Sequence, residues 1–322
     1  MKKFTKMKTA CNRGGGVVLF TILALSLTFA SCADSTDTDD ENPSPALPAN
    51  VGENPIKETI KLKSEESSYC LELKTNGSAL YVYDDKDEEI SHKFKYTYDA
   101  VAKKIYMRVE KAAYYNDWNN EEEWYQLLSY DEIRSKINKD FTTEKIRQVL
   151  KDSYEREKDD EYYKDYYANY NSYDDYENEL VKEAGVGSFD AYVKRVKQEY
   201  ENECKATFGA QITYAYDTKD GKMTLTEKFT GVKNSLDSEC YFSFESGYAY
   251  ISCTHAKITE NDDRYYGTID TDKKTILFES GEDRSTYEST YTENINAGTV
   301  TINFKGKEYV CEFDGAKYTQ VE

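Results

Sequence analysis

The sequence predicts an α+β fold, a largely antiparallel β meander closed as a barrel or sandwich with a helical segment inserted into it. Three observations predict this. From Glu58 onward apolar and polar residues alternate in short runs, as in Tyr69/Leu71/Leu73, Leu80/Val82 against Tyr81/Tyr83, Phe94/Tyr96/Tyr98 and Ile105/Met107/Val109. Between roughly Glu121 and Phe208 the period changes, and Trp124, Leu127, Leu128, Ile133, Ile137, Ile146 and Leu150 recur at three- and four-residue steps. From Gln211 to the end the alternation returns. The chain of 322 residues therefore divides into residues 1–31, a tether at 32–56, a β region at 57–118, a helical insertion at 119–208, and a second β region at 209–322 that joins the first in one β domain.

Residues 1–31 are set aside before any folding argument. Lys2, Lys3, Lys6, Lys8 and Arg13 form a basic start without an acidic residue, and the apolar run Val17 to Ala30 is too short to span ~30 Å of hydrocarbon comfortably. The run ends in Phe29-Ala30-Ser31-Cys32, which resembles the lipobox of bacterial lipoproteins. That resemblance implies cleavage before Cys32, acylation of its thiol and new amino group, and attachment to a membrane through the acyl chains. The other readings of the segment are an ordinary secretory signal cut near Ala30 and an uncleaved anchor. Behind Cys32 the stretch Asp34 to Asn42 is dense in Asp, and Pro43, Pro45, Pro48 and Pro55 follow, which predicts a disordered tether. The Asp-rich stretch resembles the signal that sends lipoproteins to the outer face of the outer membrane in some diderm bacteria; a plain spacer explains it equally. An outer-membrane lipoprotein, on the periplasmic face or the cell surface, is the resulting expectation, with the surface favoured.

In the β regions an aromatic strand, an Asp-opened polar turn and a second strand recur around Asp99, Asp217 and Asp270, which reads as repeated hairpins of a meander. A two-residue turn at Ser246-Gly247 would set Cys240 opposite Cys253 at a non-hydrogen-bonded pair, where Cα atoms lie ~4.5 Å apart, so the two are placed for a disulfide or else are buried thiols. A turn at Gly306-Lys307 would pair Phe304 with Tyr309, Ile302 with Cys311 and Val300 with Phe313. The last helix is expected from Ser188 to Cys204, with Ser188 as its N-cap. The whole arrangement resembles lipocalin-like domains in architecture alone.

Chemistry is sparse. The net charge of -19 gives no basic field for phosphates, which argues against a nucleic-acid partner. Only His92 and His255 are present, there is no CxxC, and the acidic runs Asp84–Glu89 and Glu260–Asp263 lack EF-hand spacing, so no metal site or cofactor is expected. No nucleophile elbow, zincin, P-loop or dinucleotide motif occurs, and no catalytic residue is assigned. The most unusual segment is Tyr162 to Tyr176: as one helix it would place Tyr163, Tyr166, Tyr170 and Tyr173 on a single stripe, a rigid contact surface with polar tips. Trp118 and Trp124 flank the same region. The alternative is that these tyrosines are packing residues in a Leu-poor chain. The reading is a non-catalytic, membrane-anchored envelope or surface lipoprotein that binds a protein or glycan through this insertion. The alternatives are a carrier of a small apolar ligand in a lipocalin-like barrel, for which Phe242, Phe244, Ile302, Phe304 and Phe313 predict too full an interior, a chaperone-like periplasmic protein, and a carboxylate-dependent hydrolase.

Overall fold

The computed structural model describes residues 42–321 apart from 65–68, 84–89, 116–124, 161–162, 233–239, 244–254, 261–262, 271–272, 281–284 and 314. Cys32 with its signal segment, the Asp-rich stretch, Trp118, Trp124, Cys253 and the Ser246-Gly247 turn lie outside the described residues. The described residues form two compact units, one helical and one of β-structure.

Eight strands of the β unit close into an antiparallel barrel. They are β1 (Ile60–Ser64), β2 (Tyr69–Leu73), β3 (Ser78–Tyr83), β4 (Ile90–Asp99), β5 (Lys104–Tyr115), β7 (Gln211–Lys219), β8 (Lys222–Lys228) and β16 (Lys317–Gln320). A short β6 (Tyr125–Leu128) adds beside β5. Spatial order equals chain order around the barrel, and β16 closes it against β1. This is an up-and-down barrel carrying one insertion between β5 and β7 and another between β8 and β16.

The two ends of the barrel differ. At one end the connections are tight: Ala100–Lys103 joins β4 to β5, and the pair Asp220-Gly221, with φ of 53° and 78°, makes the primed two-residue turn that matches strand twist. Asp99 opens its turn as expected, its carboxylate accepting the Val101 and Ala102 amides at 2.9 and 2.8 Å. The predicted tether is shorter than 32–56, because residues 50–56 dock at this same end. Val51 exchanges backbone hydrogen bonds with Tyr98 and Ala100, Asn50 accepts from the Tyr98 amide, and Ile56 is buried. Asn54 adds to this, its Oδ1 accepting the Ile56 amide at 2.9 Å and its Nδ2 donating to the Thr75 carbonyl at 3.2 Å, so Ile56 and two Asn side chains hold this Pro-containing segment in place. The chain makes its long excursions from the opposite end, where β5 and β8 leave and β7 and β16 return.

Inside the barrel, Leu62, Leu71, Leu73, Ala79, Phe94, Tyr96, Ile105, Met107, Val109 and Leu225 are all nearly inaccessible, so the lumen is a packed core. Lys61, Lys63, Lys95 and Arg108 alternate with them and face outward.

The second β region divides. Residues 211–228 and 317–320 complete the barrel, whereas the insertion between them builds a separate seven-stranded sheet in the order β15-β14-β13-β12-β11-β10-β9. Its strands are β9 (Cys240–Ser243), β10 (His255–Glu260), β11 (Asp263–Asp270), β12 (Thr275–Ser280), β13 (Thr286–Asn294), β14 (Thr299–Phe304) and β15 (Lys307–Glu312). One face is apolar, with Ile276, Phe278, Tyr291, Val300, Ile302, Phe304, Tyr309 and Cys311 buried together with Phe229 and Val232 of the segment after β8. The sheet curls strongly, for Tyr265 of β11 and Phe304 of β14 bring their rings to 5.0 Å although two strands lie between them. Ile302, Phe304 and Phe313, expected in the barrel interior, belong to this sheet and its exit. The turn between β14 and β15 is Lys305-Gly306, pairing Phe304 with Lys307, Ile302 with Tyr309 and Val300 with Cys311, two residues in register from the expected arrangement. Both turn residues have positive φ, 51° and 78°, the geometry that a two-residue primed turn demands and that a Gly tolerates best at the second place. The shift is even, so the face of Cys311 is unchanged and it is fully buried. Cys70, Cys204 and Cys311 are buried thiols. β9, which holds Cys240, runs parallel to β10, while the strand expected to face it across the Ser246-Gly247 turn lies outside the described residues.

The helical unit contains α1 (Tyr130–Asp140), α2 (Thr143–Glu157), the single turn α3 (Lys164–Tyr167), α4 (Tyr173–Glu183) and α5 (Phe189–Gly209), the last running on beyond the expected end at Cys204. Thr142, Ser172 and Ser188 accept the amides of Lys145, Asp175 and Ala191, three N-caps that explain where α2, α4 and α5 begin. Among the described residues no helix is long and apolar enough to cross a membrane.

Candidate functional site

The apolar filling of the barrel gives way to a polar, aromatic layer at the end from which the long excursions start. Strand register carries this change. Pairing of Leu62 with Leu71, Leu71 with Tyr81 and Tyr81 with His92 puts Tyr81 and His92 on the inward face, one step above the Leu layer. Tyr69, two residues before Leu71, follows by alternation. Pairing of Ile105 with Tyr214, Tyr214 with Glu227 and Leu225 with Tyr318 brings Tyr214, Glu227 and Tyr318 inward from the other side.

These side chains meet across the lumen. Tyr69 stacks on Tyr81 with ring centroids 4.6 Å apart and planes 13° from parallel. Tyr81 of β3 reaches Tyr318 of β16 at 6.5 Å, although β2 and β1 separate their strands, and Tyr318 meets Tyr214 edge-on at 5.9 Å. His92 lies 5.8 Å from Phe94, nearly parallel to it, and 6.3 Å from Tyr81, while its Nδ1 is 3.1 Å from the Ser91 hydroxyl. The phenols of Tyr214, Tyr318 and Tyr81 thus adjoin one another in turn across the lumen. Burial, neighbouring phenols and the nearby Glu227 carboxylate push the Tyr214 and Tyr318 hydroxyls far above the usual phenol range, so both stay protonated donors at any physiological pH. Glu227 is fixed from outside the layer: its Oε2 accepts the Ala316 amide at 3.3 Å, and its backbone N–H donates to the Ala316 carbonyl.

Tyr214 and Tyr318 are buried, whereas Tyr69, Tyr81, His92 and Glu227 keep part of their surface exposed. The layer is thus a floor: a ring stack with acceptor and donor groups beside it, resting on a packed core. It offers stacking area and hydrogen bonds. Among the described residues no cluster of His, Cys, Asp or Glu is arranged to hold a metal ion.

The Tyr-rich stretch forms a different structure from the single helical stripe expected. Ala168-Asn169-Tyr170-Asn171-Ser172 breaks it, leaving Tyr163 before α3, Tyr166 in α3, Tyr170 in the break and Tyr173 opening α4. Tyr166 is exposed at 39%, Tyr163 and Tyr170 are half-buried, and Tyr173 is buried. Tyr173 joins Tyr154, Tyr167 and Tyr176 in an aromatic core in which Tyr176 has ring centroids of Tyr154, Tyr167, Tyr170 and Tyr173 within 5.2–6.3 Å. Of the four tyrosines first assigned to a contact surface, Tyr166 is the one that presents substantial area.

Sequence reasoning did not single out the barrel layer. Its signal was present, since Tyr69 precedes Leu71 and His92 precedes Phe94 by two residues on an apolar alternation. Which of two alternating faces turns inward, and which strands stand opposite, is what alternation leaves open. No family model matches the chain, and neither a curated protein nor a solved structure is found to match it.

Proposed function

We propose that this chain is a non-catalytic envelope lipoprotein, anchored through acyl chains on Cys32, whose barrel binds a glycan at its aromatic end. The observation that carries the reading is the partly exposed Tyr69–Tyr81 stack beside His92, with Glu227 near Tyr318 in the same layer, set on a lumen already filled by Leu, Phe and Met side chains. A flat phenol pair accepts the apolar face of a sugar ring, and adjoining carboxylate, imidazole and phenol groups match its hydroxyls. The filled lumen gives less support to carriage of an apolar molecule, which needs interior volume. The Tyr166 surface of the helical unit supports a protein partner less strongly, because most of its tyrosine area is spent in packing.

Titration of the purified mature protein with a panel of oligosaccharides, read by tyrosine fluorescence, tests the site. Tyr81→Ala weakens binding about 5- to 10-fold, on the order of 1 kcal/mol for one stacking ring, and Tyr69→Ala weakens it similarly. Binding that survives both substitutions rejects the barrel site. For the anchor, protease shaving of intact cells removes the wild-type protein from a surface position, and Cys32→Ala abolishes that display. Protection in intact cells places the protein on the periplasmic side.

A further inference from the structure

The curled sheet holds a second aromatic arrangement, remote in register from the barrel layer. Tyr265, Tyr287 and Phe304 bring three rings together with centroids 5.8, 5.0 and 5.9 Å apart and interplanar angles of 80°, 63° and 76°. Three mutually steep rings make the corner of a box. The Lys305 ammonium stands in that corner, 4.4 Å from the Tyr265 centroid, 4.2 Å from Tyr287 and 5.3 Å from Phe304. Its Nζ donates to the Tyr265 hydroxyl at 2.6 Å, and the Ser285 hydroxyl donates to the Tyr287 oxygen at 2.9 Å. Packing does not force this placement: Lys305 is an exposed residue of a two-residue turn and its long side chain has water within reach. Phe304 is fully buried and Tyr265 nearly so, so the rings are held by the sheet whether or not a cation is present. A preformed corner of ring faces with a phenol acceptor is the geometry that recognises an ammonium group.

We propose that Tyr265, Tyr287 and Phe304 form a binding site for a primary alkylammonium ligand, and that Lys305 is its built-in occupant, which an incoming amine displaces. The class follows from the contacts. Ring faces attract any small cation, but the Tyr265 oxygen rewards one that donates a hydrogen bond, which a quaternary ammonium cannot do. A strongly acidic chain with a net charge of -19 also draws cations toward it. Because Lys305 is tethered beside the cage, its effective concentration is on the order of mM or above, so it masks the site against a free amine at lower concentration.

The test is an NMR titration of the full mature protein with n-butylammonium chloride, following the ring protons of Tyr265, Tyr287 and Phe304, with n-butanol and tetramethylammonium as comparison probes. Lys305→Ala and Lys305→Gln, each checked for native near-UV circular dichroism, expose saturable shifts confined to these three rings. Wild type needs at least about tenfold more amine, butanol produces no saturable shift, and tetramethylammonium binds several-fold more weakly than butylammonium. Adding Tyr265→Phe to Lys305→Ala removes the preference for the primary amine. Absence of saturable shifts in both folded Lys305 variants, or equal affinity in wild type and variants, overturns the site or its masking. Equal affinity for tetramethylammonium overturns the assignment to primary amines.

Discussion

Gly315 shows how a single atom can govern the seam of the barrel. A Cβ there would lie 2.4 Å from the Glu227 carbonyl oxygen and 2.8 Å from the Phe313 ring, against backbone that the Glu227–Ala316 hydrogen bond holds in place. Gly315→Ala therefore lowers stability by about 1–3 kcal/mol, measured by urea unfolding, and disturbs the Tyr318 environment as β16 shifts. Gly221, at φ 78° with open space around it, carries a conformational rather than a steric demand, and Gly221→Ala costs about 1 kcal/mol in the same assay. At this scale the sequence was partly legible. Asp99 and Asp270 open their turns as their residue type suggests, Asp270 accepting the Lys273 amide at 2.9 Å. Asp217 instead pairs with Lys103 at 3.1 Å, and both side chains are exposed, so that contact adds little.

Among the elements, the tyrosine cluster extends the core that Ile146, Leu150 and Leu180 bury in the same helices. Tyr176 is 1% exposed and contacts four other tyrosines, so Tyr176→Ala removes the centre of that core and costs about 3–5 kcal/mol. Thermal unfolding monitored at the helical far-UV signal checks this. Tyr167 reaches the buried Glu157 carboxylate at 3.3 Å, which gives its hydroxyl a partner that Phe would lack. Spacing alone suggested one stripe because the steps from Tyr163 to Tyr166, Tyr170 and Tyr173 are three, four and three residues. The interruption was nonetheless written in Asn169, Asn171 and Ser172, residues that favour turns and caps over helix interiors.

For the whole molecule, the buried phenols make alkaline pH a test of the fold. Burial raises the hydroxyls of Tyr114, Tyr167, Tyr173, Tyr176, Tyr214 and Tyr318, and neighbouring carboxylates or phenols raise them further. In the unfolded chain these groups ionise near ~10, so above that pH the unfolded state releases protons that the folded state keeps. The stabilisation they provide is complete below pH ~10 and is lost progressively as pH rises beyond it. A spectrophotometric titration at the phenolate band should show part of the tyrosine absorbance appearing only together with loss of far-UV circular dichroism. Independent, gradual ionisation of every tyrosine with the fold intact would contradict the buried placements.

The sequence by itself determined the classes of element and most of their limits: the strand and helix periods, the N-cap at Ser188, the turns opened by Asp99 and Asp270, and the inward face of Cys311. These depend on residues a few places apart, whose effects are local. Tertiary structure alone decided that 211–228 and 317–320 close a barrel with 60–115, while 240–312 form a sheet of their own. Both stretches alternate in the same way, and alternation records a buried face without recording which strand lies beside it. β8 and β16 pair across an insertion, Leu225 beside Tyr318, so the choice rests on long-range packing that a reading along the chain does not contain. The same limit hid the Tyr69–Tyr81–Tyr318–Tyr214 layer, whose members become neighbours when the barrel closes.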